Sequence, residues 1–178
     1  MKVVETKLQD CVIIEPEVSG DDRGFFLETY QLTRYADLAG IRLPFVQDNY
    51  SRSLKNVLRG LHFQIIKPQG KLLRVVRGEV YDVAVDLRKY SSTFGQWEAV
   101  VLSEQNQKQF WVPPGFAHGF LVLSDSADFE YKCTDYYDPA DQESILWSDP
   151  ILNISWPINN PILSEKDACA STLSNLNL

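Results

Sequence analysis

The two histidines of the chain, His62 and His118, are the residues best suited to acid–base chemistry near neutral pH. They occupy the stretches Arg59-Gly60-Leu61-His62-Phe63-Gln64 and Pro113-Pro114-Gly115-Phe116-Ala117-His118-Gly119. Such an imidazole serves either as a general base or as a hydrogen-bonded histidine of the core. Two histidines are too few for the three-histidine metal site of many small β-barrel enzymes. The sequence therefore favours proton transfer without a metal.

The chain that must position these histidines has 178 residues, a length that favours one domain. Hydrophobic residues make up 44% and charged residues 23%, which is typical of a globular protein and excludes a disordered chain. With 17 Lys and Arg against 24 Asp and Glu, the chain has no basic field for nucleic acid or anionic lipid. Any anionic ligand must be held by a few local cations.

The N-terminus and the cysteines indicate a cytoplasmic protein. Charges within Met1–Asp10 interrupt what would be the apolar stretch of a signal peptide. The longest apolar runs are far shorter than the ~20 residues that cross a bilayer, so we expect no membrane span. Cys11, Cys133 and Cys169 are odd in number and widely spaced, which predicts reduced thiols rather than disulfides or a metal site.

A period of two in hydrophobicity predicts an all-β fold from residue 57 onward. The expected strands cover 81–87, 97–102, 110–112, 119–123 and 129–134, and Pro113-Pro114-Gly115 is expected to turn the chain between two of them. In the first of these strands Asp82, Ala84 and Asp86 share one face, which is unusually acidic. A small antiparallel barrel with a polar interior fits this pattern best.

The two ends of the chain predict minor elements within a single domain, 1–178. The expected elements are an edge strand at Val3–Ile14, a turn at Gly20–Gly24, a strand at Phe25–Tyr30, a short helix at Thr33–Gly40, and a late helix capped by Ser164. The segment 1–14 could be exchanged with a partner subunit. Residues 171–178 are expected to form a loose tail.

Six longer stretches stand in order along the chain: Phe45–Asn49, Asn56–Gln64, Gly70–Leu72, Gly78–Asp86, Pro114–Phe120 and Ser164–Asp167. Together they resemble the dTDP-4-dehydrorhamnose 3,5-epimerase family of the cupin superfamily, and the resemblance runs from about Ile14 to Ala168. It implies a cupin-type antiparallel β-barrel, or jelly roll, with a few short flanking helices. Gln64 stands where a metal-binding cupin carries its second histidine, so the resemblance also argues against a metal.

The resemblance implies epimerisation at C3 and C5 of dTDP-4-dehydro-6-deoxy-D-glucose, giving dTDP-4-dehydro-L-rhamnose for dTDP-L-rhamnose biosynthesis. Both carbons neighbour the C4 ketone, so loss of either proton gives an enolate, and reprotonation from the other side inverts the carbon. This chemistry needs a base, an acid on the opposite side and a donor at the oxyanion, and no cofactor. The alternatives are an epimerase acting at C3 or C5 only, or a non-catalytic sugar-binding cupin.

By the resemblance, His62 is the base, Asp167 the carboxylate that pairs with it, Tyr131 the proton donor and Lys71 the cation near the ketone oxygen. The residues alone favour other interpretations: a helix cap for Asp167, a buried tyrosine for Tyr131 and a surface lysine for Lys71. The non-catalytic alternative gains if Asp167 points away from His62. Asp82 is expected to partner either the base or Lys71, because an unpaired buried carboxylate is costly.

The resemblance also implies residues that bind the dTDP-4-keto-6-deoxyhexose substrate. Arg23 and Arg59 match contacts to the diphosphate, for which a guanidinium group is well suited. Phe26 and Glu28 match residues that meet the thymine base. Further positions around the sugar nucleotide are Gln47, Asp48, Asn49, His118, Glu143 and Lys166, of which His118 is equally interpretable as structural. The resemblance implies a homodimer.

The placement of Arg59 depends on the geometry of its strand. Strict alternation puts Arg59 on the face opposite His62. The two side chains can therefore share a cavity only if the strand bends at Gly60, or if the substrate wraps around the strand.

Overall fold

The computed structural model describes all 178 residues and consists mainly of β-strands. The strands are β1 (Lys2–Glu5), β2 (Val12–Glu15), β3 (Val18–Asp21), β4 (Gly24–Leu27), β5 (Gln47–Leu54), β6 (Leu58–Gln64), β7 (Lys71–Arg77), β8 (Glu79–Asp86), β9 (Trp97–Ser103), β10 (Gln109–Val112), β11 (Phe116–Val122), β12 (Ser126–Cys133) and β13 (Gln142–Ser144). Two short α-helices, α1 (Leu32–Ala39) and α2 (Glu165–Ala168), and a 3₁₀-helix at Leu173–Asn175 accompany them.

Two antiparallel sheets face each other. One has six strands in the order β1-β2-β10-β7-β12-β5, the other has five in the order β13-β6-β11-β8-β9, and β3 and β4 form a separate hairpin. The sheets do not join along their edges, so the jelly roll is open rather than closed by hydrogen bonds. The predicted all-β cupin fold is confirmed in this open form.

Much of the space between the sheets is filled by apolar side chains. Leu73 of β7 and Phe129 of β12 meet Ala84 of β8 and Phe120 of β11, all of them buried. The rings of Phe120 and Phe129 stack with centroids 4.3 Å apart, which ties one sheet to the other. Alternation along β8 therefore directs the face that carries Ala84 toward the interior, as the sequence pattern predicts.

The outer faces of both sheets are covered by other parts of the chain. Helix α1 lays Tyr35 against Ile14, Leu72 and Trp111 on the six-stranded sheet. The segment after β13 covers the five-stranded sheet, and its residue Trp156 packs in the cluster there. Because both faces of each sheet are partly buried, neither sheet shows a simple alternation of polar and apolar residues throughout.

The C-terminal tail corrects one expectation. Residues 171–178, expected to be loose, are held against the five-stranded sheet: the Leu146 N–H donates to the Ser171 carbonyl at 2.8 Å, and the Leu173 N–H donates to Asp149 at 2.7 Å. Leu173, Leu176 and Leu178 pack onto the apolar cluster of that sheet. Three leucines within six residues supply apolar area that compensates for the ordering of the tail.

The N-terminal region differs from the expected single edge strand. Val3–Ile14 forms the hairpin of β1 and β2, because the polar stretch between them turns the chain around the Thr6 hydroxyl, which bonds to Leu8 and Cys11. The expected strand Phe25–Tyr30 ends at Leu27. Strand β5 was not predicted.

The two predicted helices are confirmed. Helix α1 ends at Gly40, whose positive φ of 70° suits a glycine C-cap. Helix α2 begins after Ser164, whose hydroxyl accepts the Asp167 N–H at 3.1 Å. No helix in the structure is both long and apolar enough to cross a membrane.

A buried carboxylate anchors the turn after β8. Asp86 is fully buried and accepts hydrogen bonds from Arg88 at 2.8 Å and from the hydroxyls of Ser91 and Thr93 at 2.6 Å each. Burial alone would raise the pKa of Asp86, but these donors lower it to about 2. Arg88 also bonds to Asp10, so this network links the N-terminal hairpin to the body of the protein.

We expect Asp86→Ala to lower the free energy of unfolding by about 3 kcal/mol at neutral pH, because it leaves buried donors without an acceptor. Since the folded pKa of Asp86 lies below its unfolded value, its contribution is complete above 3.8 and is lost as the pH falls toward 2. Urea unfolding of the wild-type and Asp86→Ala proteins, at neutral pH and between pH 3.8 and 2, measures the difference in their free energy of unfolding. The control Asp125→Ala, at an exposed ion pair with Lys55, should change stability by less than ~0.5 kcal/mol.

Candidate active site

A cavity of about 240 Å³ lies between the two sheets, and both sheets contribute polar side chains to it. The five-stranded sheet supplies Arg59, His62 and His118, and the six-stranded sheet supplies Lys71 and Tyr131. All five were singled out from the sequence. Their convergence on one cavity makes it the candidate active site.

His62 forms a short hydrogen bond with Asp167. Its Nε2 lies 2.6 Å from Asp167 Oδ1, and the other carboxylate oxygen accepts the Gly60 N–H at 3.4 Å. Burial alone would raise the pKa of Asp167, but its bonds to His62 and Gly60 hold it below the usual value. The carboxylate is therefore ionised at neutral pH, and it fixes the His62 tautomer that carries a proton on Nε2.

This bond decides between two interpretations of Asp167. Its backbone N–H donates to the helix cap Ser164, as the capping pattern predicts, and its carboxylate bonds to His62. The capping motif at Ser164 therefore orients helix α2, and the Asp167 carboxylate remains available to bond to His62. The side chain of His62 remains 30% exposed, so a ligand in the cavity can reach it.

A bend in β6 brings Arg59 to the same cavity as His62. Gly60 has a φ of 129°, and the pairing of β6 with β11 shifts register beside it. A Cβ on Gly60 would lie 2.5 Å from Gly119 Cα, so the close approach of the two strands requires glycine here. The bend that the assignment of Arg59 requires is present, and Arg59 Nε also donates to Ser53 Oγ at 2.9 Å.

Tyr131 and Lys71 occupy the wall opposite His62. They lie on the adjacent strands β12 and β7, where Cys133 pairs directly with Lys71. Burial raises the pKa of Tyr131 to about 12, so the phenol is protonated at neutral pH. Burial lowers the pKa of the Lys71 ammonium, while the Cys133 and Asp82 charges oppose this shift.

Asp82 partners His118 rather than the base. Both of its carboxylate oxygens lie 3.0 Å from His118 Nε2, and no hydrogen bond joins it to His62 or Lys71. Of the two expected partners of Asp82, His62 makes no hydrogen bond with it, because His118 lies beside it on β11 and takes both oxygens. Burial raises the pKa of Asp82 although His118 and Lys71 counteract it. Lys71 interacts with Asp82 through charge alone.

Three of the expected binding residues lie on strand β5 and are divided between its two faces. Gln47 and Asn49 are on the strand face that also carries the cavity residue Ser51, and their side-chain amides bond to each other at 3.0 Å. Neither lines the cavity directly. Asp48 points to the other face, where its carboxylate forms an ion pair with Lys132.

Five other expected binding residues lie outside the cavity of their own chain. They are Arg23, Phe26, Glu28, Glu143 and Lys166. The first two lie on the exposed β3–β4 hairpin, where Arg23 pairs with Asp21, and Glu28 pairs with Arg34. Glu143 and Lys166 are exposed. Gln142, which precedes Glu143 on β13, lines the cavity, so alternation places Glu143 on the opposite face of the strand.

Several cavity residues were not recognised from the sequence. They include Ser51, Gln69, Phe120, Phe129, Tyr137 and Gln142, together with Gln64, which was considered only as a replaced metal ligand. The alternation that links Phe129 to Tyr131 could have identified Phe129. Gln69 and Tyr137 lie in loops, where no periodicity indicates which way a side chain points.

A sequence profile described as dTDP-4-dehydrorhamnose 3,5-epimerase matches residues 5–175. The chain belongs to this family. It is 54% identical over 175 residues to the dTDP-4-dehydrorhamnose 3,5-epimerase of Salmonella typhimurium, which covers 97% of this chain and 96% of that relative. Family membership makes the protein an isomerase, as the motifs imply.

Solved structures agree with this assignment. A dTDP-6-deoxy-D-glucose-3,5-epimerase of Legionella pneumophila, in complex with dTDP-4-keto-L-rhamnose, superimposes with a TM-score of 0.96 at 55% identity, covering 99% of this chain and 94% of that one. A dTDP-4-dehydrorhamnose 3-epimerase of Streptomyces niveus is 40% identical over 162 residues, covering 90% of this chain and 78% of that relative. The comparisons confirm the predicted family, enzyme class and epimerase activity.

Proposed function

We propose that this epimerase inverts C3 and C5 of dTDP-4-dehydro-6-deoxy-D-glucose with His62 as base and Tyr131 as acid. The observation that carries the assignment is the 2.6 Å bond between His62 and Asp167 in a cavity whose opposite wall holds Tyr131. A non-catalytic sugar-binding protein has no need to orient a histidine with a buried carboxylate. The alternative of a sugar-binding cupin is therefore disfavoured.

The proton leaves the sugar toward His62. Because Asp167 accepts the proton on Nε2, the lone pair is on Nδ1, which has no hydrogen-bond partner in the protein. Nδ1 takes the proton at C3 or C5, the C–H electron pair forms a double bond to C4, and the π pair of the C4 ketone moves onto its oxygen, which becomes the enolate oxygen. Asp167 stabilises the imidazolium that results, and it holds the ring in place for the transfer.

The enolate is stabilised and reprotonated from the other wall. Lys71 lies there, and we assign its ammonium to the enolate oxygen, whose charge grows as the proton leaves. Tyr131 is protonated because burial raises its pKa to about 12, and it gives its proton to the carbon on the side away from His62. Since the two residues belong to opposite sheets, the configuration at that carbon is inverted.

Two inversions by one base require exchange with solvent. After the first inversion His62 holds an extra proton and Tyr131 lacks one, so both must return to their starting forms before the second. The proposed reaction is proton transfer throughout and needs neither a redox cofactor nor a metal. Protons that enter C3 and C5 therefore come from water.

The cavity accommodates the sugar more readily than the whole nucleotide. Its volume of about 240 Å³ lies below the ~300–1,000 Å³ typical of small-molecule sites. We assign the sugar to the cavity and the diphosphate to its opening, where Arg59 lies. Gln47, Asn49 and the more distant Asp48, Glu143 and Lys166 are proposed to contact the nucleotide sugar only outside the cavity.

We propose a homodimer in which one subunit completes the nucleotide site of the other. Phe26 is 75% exposed on the β3–β4 hairpin, and Arg23 is paired only with Asp21 of that hairpin. An exposed aromatic ring and a guanidinium group are suited to a thymine base and a diphosphate. The hairpin would bring them, with Glu28, to the cavity of the partner.

We also propose that residues 1–178 work as one domain in the cytoplasm. The match to the Legionella pneumophila structure over 99% of the chain supports the single domain. The three free thiols support a reducing compartment.

Incubation with dTDP-4-dehydro-6-deoxy-D-glucose in heavy water tests the proposed function. We expect product that carries deuterium at both C3 and C5, located by NMR. Label at one carbon alone would indicate a single epimerisation, and the absence of both label and product would indicate a binding protein. His62→Ala should slow exchange at both carbons by about 10²- to 10⁴-fold, because one base serves both.

Tyr131→Phe should separate proton removal from inversion. Without the phenol, His62 still removes the proton, and deuterium can return from the same side with the original configuration. We expect deuterium in recovered substrate while the formation of epimer falls by about 10²-fold or more. If exchange and inversion fall equally, or if epimerisation is unchanged, Tyr131 is not the acid.

A mixed dimer tests the contribution of the hairpin. Arg23→Ala should raise KM for the nucleotide sugar, and His62→Ala should abolish turnover. Co-expression of the two variants should restore activity, because one cavity of the mixed dimer then combines an intact His62 with an intact Arg23 from the partner. If the hairpin served its own cavity, no cavity would combine an intact His62 with an intact Arg23, and the KM would stay as high as in Arg23→Ala.

A further inference from the structure

Two loops contribute to the wall of the cavity. The first, residues 65–70, joins β6 to β7, and the second, residues 134–141, joins β12 to β13. Each supplies a side chain to the cavity, Gln69 from the first and Tyr137 from the second. The Tyr137 hydroxyl donates to Gln142, a third cavity residue, at 2.7 Å.

Asp141 joins the two loops through its carboxylate. Oδ1 accepts the N–H groups of Ile65 at 3.1 Å and Ile66 at 2.9 Å, and Oδ2 accepts those of Ile66 at 3.1 Å and Lys67 at 2.8 Å. Asp141 is 7% exposed. Burial would raise its pKa, but the three backbone donors hold the pKa of the carboxyl below its usual value. A charged acceptor thus fixes three consecutive residues of the first loop.

Gln64 makes a second connection between the same loops. Its Nε2 donates to the Lys67 carbonyl at 2.8 Å and to the Tyr136 carbonyl at 3.2 Å, and its Oε1 accepts the Asp138 N–H at 2.9 Å. One buried amide therefore bonds to the backbone of both loops at once. These three bonds also explain what a glutamine does at a position where a metal-binding cupin has histidine.

We propose that Asp141 and Gln64 are positioning residues that hold the two loops together and thereby set the affinity of the cavity for the sugar nucleotide. The inference rests on the proposed function. Neither residue is placed at the reacting atoms, because the base is held by Asp167 on α2 and the acid lies within β12. Asp141 acts on the substrate through Gln69 and Tyr137, and Gln64, which also lines the cavity, holds the same two loops.

Because neither residue is placed at the reacting atoms, we expect their loss to change KM rather than kcat. When the connection is lost, the loops become mobile in the free enzyme, and binding must order them again. The chemical groups keep their places once the substrate is bound. KM should therefore rise while kcat is retained. A residue that only stabilised the fold would reduce the active fraction, which lowers the apparent kcat and leaves KM unchanged.

The test compares Asp141→Ala, Asp141→Asn and Gln64→Leu with the wild-type enzyme, using dTDP-4-dehydro-6-deoxy-D-glucose as substrate. We expect Asp141→Ala to raise KM about tenfold or more with kcat within about twofold of the wild type. Asp141→Asn, which keeps one carbonyl oxygen, should show a smaller rise. Hydrogen exchange of the amides of residues 65–67 should be faster in the free Asp141→Ala protein.

Lys67→Met is the matched control. It removes the exposed Lys67–Asp138 ion pair between the same loops and leaves every backbone bond to Asp141 and Gln64 in place. Its KM should equal that of the wild type. An unchanged KM in Asp141→Ala, or an equal rise in Lys67→Met, overturns the proposal.

The outcome is distinguishable from a failure of the proposed function. If the wild-type protein does not epimerise the sugar, the proposed function fails by itself. The affinity for dTDP, measured by calorimetry, then decides the second question, since an equal Kd in the wild type and in Asp141→Ala would show that the loop connection does not control binding.

Discussion

The hydrogen bond between His62 and Asp167 joins two parts of the chain that are 105 residues apart, and the proposed chemistry depends on it. His62 belongs to a sheet strand, whereas Asp167 belongs to a four-residue helix that is too short to be stable alone. That helix is fixed by Ser164 at its start and by the tail that follows it, whose leucines pack on the same sheet. The tautomer of the base is therefore a consequence of how the C-terminal segment packs.

The walls of the cavity combine charged groups with apolar rings, and burying those charges costs free energy. Asp82 and Lys71 lie near Phe120 and Phe129, and burial disfavours the charged forms of both. The bidentate contact between Asp82 and His118 offsets part of this cost for the carboxylate. Lys71 has no comparable partner. An ammonium without such a partner is available for the proposed contact with the enolate oxygen.

The sequence predicted features that depend on local pattern, and it failed where distant contacts decide. Alternation placed Asp82 and Asp86 on the interior face, and Ser164 and Gly40 marked the ends of helices correctly. Strand β5 was missed because one of its faces meets the polar cavity and the other meets solvent, so no apolar period exists. The partner of Asp82 could not be predicted, since strand order determines that His118 lies beside it.

The proposed assignments divide the work between rigid and adjustable parts of the molecule. The groups proposed to move protons lie on strands of two sheets held together by stacked rings such as Phe120 and Phe129, so their separation is fixed before substrate arrives. The groups proposed to bind the nucleotide lie on a hairpin and on loops, where polar connections rather than core packing hold the backbone. Changes in the loops can therefore alter affinity and leave the geometry of inversion unaltered, because Asp167 is held by His62 and Ser164, and Tyr131 lies within β12.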